Sequence, residues 1–212
     1  MSTNLKKCRL CSSNELELVL DLGNQPLANS LLKSANIKEE FYPLKICRCA
    51  SCKTIQLTET VEPAILFKDY IWVTGTSKVA LDYSKIFCDR ILKKCTQGQK
   101  NVVEIASNDG TFLKPFSKKG HNVLGIDPAE NIAKIANSNN IPTKASFFSN
   151  QLAKEIILSK GEADIVFARN VIPHVAEAND VVRGISTLLN KSKGIGGIEF
   201  HRADLIFREL HY

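Results

Sequence analysis

The stretch Asn101-Val102-Val103-Glu104-Ile105-Ala106-Ser107-Asn108-Asp109-Gly110-Thr111 decides the fold. Its first part is a short run of mostly β-branched apolar residues, the composition of a strand buried on both faces. Its second part is a turn of small and amide-bearing residues, after which a helix is expected over 111–119. In an open parallel sheet, ligands sit beyond the carboxyl ends of the strands, and small turn residues let a ligand approach the backbone closely. Within this turn glycine stands only at Gly110, so a strict G-x-G-x-x-G fingerprint is absent, which argues against a pyrophosphate-bearing cofactor.

Downstream, short apolar runs alternate with amphipathic ones. Strands are expected over 122–126, 143–145, 163–168 and 196–200, and helices over 128–136, 150–159 and 178–189. This alternation predicts an α/β fold over 100–212, a Rossmann-like, doubly wound parallel sheet with helices on both faces. The second strand ends at Asp127, where an acid can accept hydrogen bonds from both ribose hydroxyls of an adenosyl group. Asp127 also suits a helix N-cap, since Pro128 fits the first helical position, and the two roles are compatible.

Upstream, residues 61–99 read as a helical connector, with Val79, Leu81, Ile86, Ile91 and Leu92 at roughly helical spacing. Residues 1–60 hold five of the seven cysteines. That segment is small and loop-rich, and it needs a staple in place of a core. Cys8-Arg9-Leu10-Cys11 and Cys49-Ala50-Ser51-Cys52 are two C-x-x-C knuckles whose four thiolates can meet around one Zn2+ ion, with a small β module folding between them. Cys47 offers an alternative to Cys49, but only Cys49 completes a C-x-x-C pair with Cys52. Cys88 and Cys95 lie on one helical face and read as core packing.

The composition of the 212 residues, 44% hydrophobic and 24% charged, is that of a globular protein, with no run of eighteen apolar residues. The beginning of the chain does not read as a secretory signal, and paired thiols then point to a reducing, cytoplasmic setting. The net charge of +6 is spread along the chain, as at Lys93-Lys94 and Lys118-Lys119. Such spreading forms no basic-aromatic stripe, which argues against nucleic acid as a partner.

Several motifs together resemble the sugar C-methyltransferases. They are Cys8-x-x-Cys11, Gly23-Asn24-Gln25-Pro26-Leu27-Ala28-Asn29, and Tyr42-Pro43-Leu44 leading into Cys49-x-x-Cys52. They continue with Tyr70-Ile71-Trp72-Val73-Thr74-Gly75-Thr76-Ser77, Glu104 to Gly110, Gly125-Ile126-Asp127-Pro128-Ala129, and Ala168-Arg169-Asn170-Val171-Ile172-Pro173-His174-Val175. Members of that family use S-adenosyl-L-methionine to methylate a carbon beside the ketone of a nucleotide-linked 4-keto-6-deoxy sugar. They also continue past the strand at 197–200 into a His-Glu-His segment and a second α/β domain. The resemblance therefore implies that this chain holds the first part of the methyltransferase domain, without the family's C-terminal catalytic residues.

The resemblance implies a site. Tyr70, Ser77, Glu104, Ala106, Asn108, Gly110, Asp127 and Phe148 would contact the cofactor, with Thr74-Gly75-Thr76-Ser77 closing over it. Ser77 also suits a helix N-cap, and either Phe147 or Phe148 can be core packing. His174 would assist proton removal from the sugar, and Asn170 would orient substrate or cofactor. Two other readings stay open from sequence: an RNA or protein methyltransferase using a zinc ribbon for recognition, and a non-catalytic cofactor-binding module.

Overall fold

A computed structural model describes residues 2–32, 34 and 36–209. Their contacts divide the chain into two compact units, Met1–Ile71 and Trp72–Tyr212.

The first unit contains β1 (Ser2–Asn4), β2 (Leu16–Pro26), β3 (Phe41–Cys49), β4 (Ile55–Leu57), β5 (Glu59–Val61) and the short helix α1 (Pro63–Phe67). Strands β2, β3 and β4 form an antiparallel sheet in that order, and β1 pairs with β5. Strand β2 runs beyond its apolar segment, with register shifts between Leu18 and Leu20 and between Asp21 and Asn24. Pairing with β3 carries the polar end, a long-range effect that local composition does not announce. Among the described residues of this unit only Cys8, Cys47 and Cys49 are buried, while Leu18, Val19, Leu20 and Leu22 are exposed. A unit without an apolar core depends on another constraint for its stability.

The second unit begins with a 3-10 turn at Thr74–Thr76 and helix α2 (Lys78–Leu92), capped by Ser77, whose Oγ accepts from the Ala80 N–H. There follow β6 (Asn101–Ile105), α3 (Lys114–Lys118), β7 (Asn122–Asp127), α4 (Glu130–Ser138), β8 (Thr143–Ala145), α5 (Asn150–Lys160) and β9 (Ile165–Arg169). A 3-10 turn at Ile172–His174, α6 (Ala178–Leu188), β10 (Ile195–Glu199) and α7 (Ala203–Glu209) complete the described residues. The five strands are all parallel, in the order β10-β9-β6-β7-β8. The chain winds outward from β6 through β7 to β8, then returns to the other side of β6 for β9 and β10. The reversal puts the topological switch point at the ends of β6 and β9, where such sheets open a ligand crevice.

Two apolar clusters cover the sheet. Phe112, Leu113, Phe116, Ile165, Phe167 and Cys88 form one of them, with Tyr83, Phe87 and Ile91 of α2 packed against it. Val103, Ile105, Val166, Leu152, Ile156, Val181 and Ile185 form the other, which joins α5 and α6 to the sheet. Each fully buried large side chain contributes about 1.5–3 kcal/mol, so these clusters dominate the domain's stability. Two helices start later than expected. In α3, Pro115 sits in the first turn, the position proline favours, so 111–113 stay in turns. Helix α4 starts at Glu130 because Asp127 Oδ1 takes the Ala129 N–H at 2.9 Å, which holds Pro128 and Ala129 outside it.

Candidate functional site

The turn after β6 has a backbone conformation that its residue types disguise. Ala106, Asn108 and Gly110 all lie in the left-handed region, with φ of 54°, 51° and 78°. Alternate left-handed residues are what a glycine-rich turn supplies, and alanine bears the conformation at a cost of roughly 1–2 kcal/mol. At Gly110 a Cβ would stand 2.6 Å from Ile141 Cγ2, so only glycine fits there. Asn170, just beyond β9, is also left-handed at 52° and donates its N–H to the Glu199 carbonyl at 2.7 Å. Both sides of the switch point therefore carry strained, non-glycine residues, a pattern concentrated at functional sites.

Asp127 closes the turn on its far side. Its Oδ2 accepts the Asn108 N–H at 2.8 Å and its Oδ1 accepts that of Ala129. Burial raises its pKa above the ordinary carboxylate value, partly offset by these two N–H donors. A carboxylate oxygen accepts more than one hydrogen bond, so capacity remains for ribose hydroxyls. Asn108 and Asp109 hold the preceding segment: Asn108 Nδ2 donates to Trp72 O at 3.0 Å, and Asn108 Oδ1 accepts Thr74 N–H at 2.8 Å. Asp109 Oδ2 accepts the Gly75 N–H at 3.0 Å. The segment 72–76 is thus fastened to the strand-end turn.

Glu104, in β6, and Ser107, in the turn after it, are also buried, and each carries an oxygen, Oε2 and Oγ respectively, without a hydrogen-bond partner. Burial raises the Glu104 pKa well above the ordinary value. His174 ends the 3-10 turn beyond β9, and Asn170 and His174 are both exposed. Desolvation, then the charge of His201, lowers the His174 pKa, which favours a neutral imidazole at neutral pH. Phe148 is a core side chain against Gly184, and Phe147 is the exposed ring of the pair. Tyr70 belongs to the first unit, its ring 6.3 Å from that of Phe67.

Sequence reasoning missed Arg169, Glu199 and Tyr83. Arg169 Nε and Nη2 donate to Glu199 Oε1 at 3.1 and 2.8 Å, and the Tyr83 hydroxyl donates to Glu199 Oε2 at 2.9 Å. The guanidinium carbon lies 3.3 Å from the Phe112 ring centroid, with Tyr83 and Phe87 each at 5.6 Å. Opposite charges ending two apolar strands were the available signal, because Arg169 and Glu199 are register partners.

In the first unit, the sulfur atoms of Cys8, Cys11, Cys49 and Cys52 all lie within 4.8 Å of one another. The separations Cys8 to Cys52 and Cys11 to Cys49 are 3.5 and 3.6 Å. Four thiolates at the usual distance from a tetrahedral zinc span edges of about 3.8 Å, so this donor set fits the ion. Cys47 is buried but stands outside the group. Burial opposes ionisation of Cys8, but hydrogen bonds from Cys11, Gln56 and others draw its pKa down to about 6. Cys11 has a hydrogen bond from Ser13 that favours its thiolate, yet burial and the other three thiols prevail and it is pushed up to about 12. Crowded thiols that resist joint ionisation call for a cation among them.

A parallel sheet with a strained turn at its switch point is the α/β class that binds ligands beyond its strand ends, and here a four-thiol module precedes it in the chain. The match to the family model described as "Methyltransferase domain" spans residues 80–206, and the chain belongs to that family. Residues 8–67 match a model described as "Putative zinc binding domain". The chain is similar to C-methyltransferase NovU of Streptomyces niveus, 30% identical over 189 residues, 87% of this chain and 45% of that protein. It is also similar to a ubiquinone biosynthesis O-methyltransferase of Ralstonia nicotianae, 24% identical over 105 residues, 49% of this chain and 44% of that one. The chain thus spans less than half the length of these curated relatives. Among solved structures, the plantazolicin methyltransferase BpumL in complex with SAH aligns with a TM-score of 0.48 and 17% identity, covering 60% of this chain and 49% of that one. The PH0226 protein of Pyrococcus horikoshii OT3 aligns with a TM-score of 0.47 and 19% identity, covering 65% and 62%.

Proposed function

We propose that the protein is an S-adenosyl-L-methionine-dependent C-methyltransferase whose acceptor is a nucleotide-linked 4-keto-6-deoxy sugar, working in the cytoplasm. The observation that carries this reading is the extent of the similarity to the C-methyltransferase NovU. At 189 residues that match is longer than the whole second unit, so it runs into the cysteine module. The 105-residue likeness to an O-methyltransferase is short enough to fit within the second unit alone.

The methyl sulfonium, when bound, supplies an electrophilic methyl group, so the chain's residues have to prepare and align a carbon nucleophile. Asp127 holds the ribose with the lone pairs that Asn108 and Ala129 leave free. Ala106, Asn108 and Gly110 form the floor against which the ligand lies, and the segment 72–76 with Ser77 forms the adjoining wall. The neutral His174 imidazole assists removal of the proton beside the ketone, and the Asn170 amide orients the carbonyl. Cys8, Cys11, Cys49 and Cys52 hold a zinc ion that replaces the missing core of the module.

The test offers the chain methyl-labelled S-adenosylmethionine and a nucleotide-linked 4-keto-6-deoxy sugar in deuterated water. The expected result is deuterium exchange at the carbon beside the ketone, with methyl gain at the same carbon. Because the chain spans less than half the length of its relatives, binding of the sugar decides the matter: failure of the nucleotide-linked sugar to bind in equilibrium dialysis, under conditions where the donor binds, rejects it as substrate.

A further inference from the structure

Glu104 is an acid buried without an uncommitted counter-charge. It is 3% exposed, and its Oε2 has no hydrogen-bond partner. It precedes the last residue of β6, and strand alternation puts it on the sheet face of Val102, which lies in the cluster of Phe112 and Phe167.

The charged groups that act on it most strongly are Arg169 at the end of β9, Asp127 at the end of β7, Asp109 in the turn, and Glu199 at the end of β10. Three of them are acids. The cation among them is already committed, since Arg169 spends two N–H donors on Glu199 and stacks on Phe112. A carboxylate at position 104 would be desolvated, surrounded by like charge, and only partly compensated by a shared guanidinium. Under these conditions the carboxyl keeps its proton. The same surplus of acids makes the switch-point crevice attractive to a positive ligand, whose arrival supplies the counter-charge that Glu104 lacks.

We propose that the crevice at the ends of β6 and β9 takes a ligand bearing a positive charge, and that Glu104 releases its carboxyl proton as that ligand enters. The Glu104 O–H bond breaks heterolytically, its electron pair stays on the carboxylate, and the proton passes to the buffer. This inference rests on the adenosyl reading above, whose donor carries both a sulfonium and an ammonium against a single carboxylate. Linkage then requires affinity to rise by about tenfold per pH unit while Glu104 is protonated in the empty protein, and to level off beyond that range.

The experiment is titration calorimetry of the full chain with S-adenosylmethionine, in buffers of different ionisation enthalpy across a pH series. Wild type should release about one proton per ligand bound. Glu104→Gln, nearly isosteric and neutral, should bind without buffer-dependent heat. Glu199→Gln, which leaves the Arg169 charge less compensated, should move the loss of proton release to lower pH. S-adenosylhomocysteine separates the sources: release with the donor alone assigns the effect to the sulfonium, and release with both ligands assigns it to the ammonium. Binding with buffer-independent heat in wild type, or release unchanged in Glu104→Gln, overturns the proposal while leaving the adenosyl reading intact. If neither ligand binds in equilibrium dialysis, the adenosyl reading falls and the proposal with it.

Discussion

The Asn108 N–H donates to Asp127 Oδ2 at 2.8 Å, joining the turn after β6 to the end of the neighbouring strand β7. The bond orients a strained turn and also fixes the carboxylate on which ribose binding would depend. Asp127→Ala leaves the Asn108 and Ala129 N–H groups without their acceptor, and should destabilise the protein by about 1–3 kcal/mol. If Asp127 also holds ribose, affinity for S-adenosylhomocysteine should fall by at least about tenfold, equivalent to about 1.4 kcal/mol. Thermal unfolding and calorimetry measure the two effects separately. A loss of stability with unchanged affinity would leave Asp127 a structural residue only.

Asn108 couples the same turn to the segment before α2. Asn108→Gly suits the positive φ better than asparagine does, but it deletes the bonds to Trp72 O and Thr74 N–H. Two lost bonds at about 1 kcal/mol each exceed a gain of about 1 kcal/mol, so global stability should fall by only about 1 kcal/mol. The local effect should be large: faster hydrogen exchange at Thr74, with unchanged protection in β6. Unaltered exchange at Thr74 would mean that the segment is held by something other than this side chain.

The cysteine module should depend on metal more than the α/β unit does. Its buried residues among those described are three cysteines, whereas the second unit has two apolar clusters. Purified protein should contain about one zinc per chain, and chelation should abolish amide protection in β2, β3 and β4 while β6, β7 and β9 remain protected. Absence of stoichiometric zinc, or chelation without loss of that protection, would contradict the thiolate site.

Glu104 gives stability a pH dependence of known sign. Its folded pKa is raised, burial being the largest cause, so its contribution is fully present below the unfolded carboxyl pKa. That contribution disappears as pH rises through the folded value, at up to about 1.4 kcal/mol per pH unit. Glu104→Gln should remove this decline and gain on wild type toward neutral pH. Denaturant midpoints for both proteins across the series provide the check, and parallel curves would show that Glu104 titrates normally.

What the sequence reveals follows the range of each interaction. The strands over 101–105, 122–127 and 165–169 were legible because apolar runs report burial directly, and the four thiols because two knuckles have their own spacing. Left-handed Ala106, Asn108 and Asn170 were not legible, since glycine is the usual marker of that conformation. Nor was the polar half of β2, whose extension depends on pairing with residues 41–43. The pair of Arg169 and Glu199 spans 30 positions, and Tyr83 to Glu199 spans 116, so only the fold brings them together.

That last group should act as a unit. Strand β10 pairs only with β9 among the described strands, and Glu199 adds a lateral tie to both β9 and α2 through Arg169 and Tyr83. Tyr83→Phe keeps the ring and removes one donor, and should cost about 1 kcal/mol. Arg169→Lys keeps the charge but loses the planar stacking on Phe112 and the paired donation from Nε and Nη2, for about 1–3 kcal/mol. Because both substitutions weaken the hold on one carboxylate, their combined effect should depart from the sum by about 0.5 kcal/mol or more. Hydrogen exchange should then accelerate at Asn170, whose N–H bonds to the Glu199 carbonyl, and in β10. Additive effects with unchanged exchange at Asn170 would show that Tyr83 and Arg169 contribute independently.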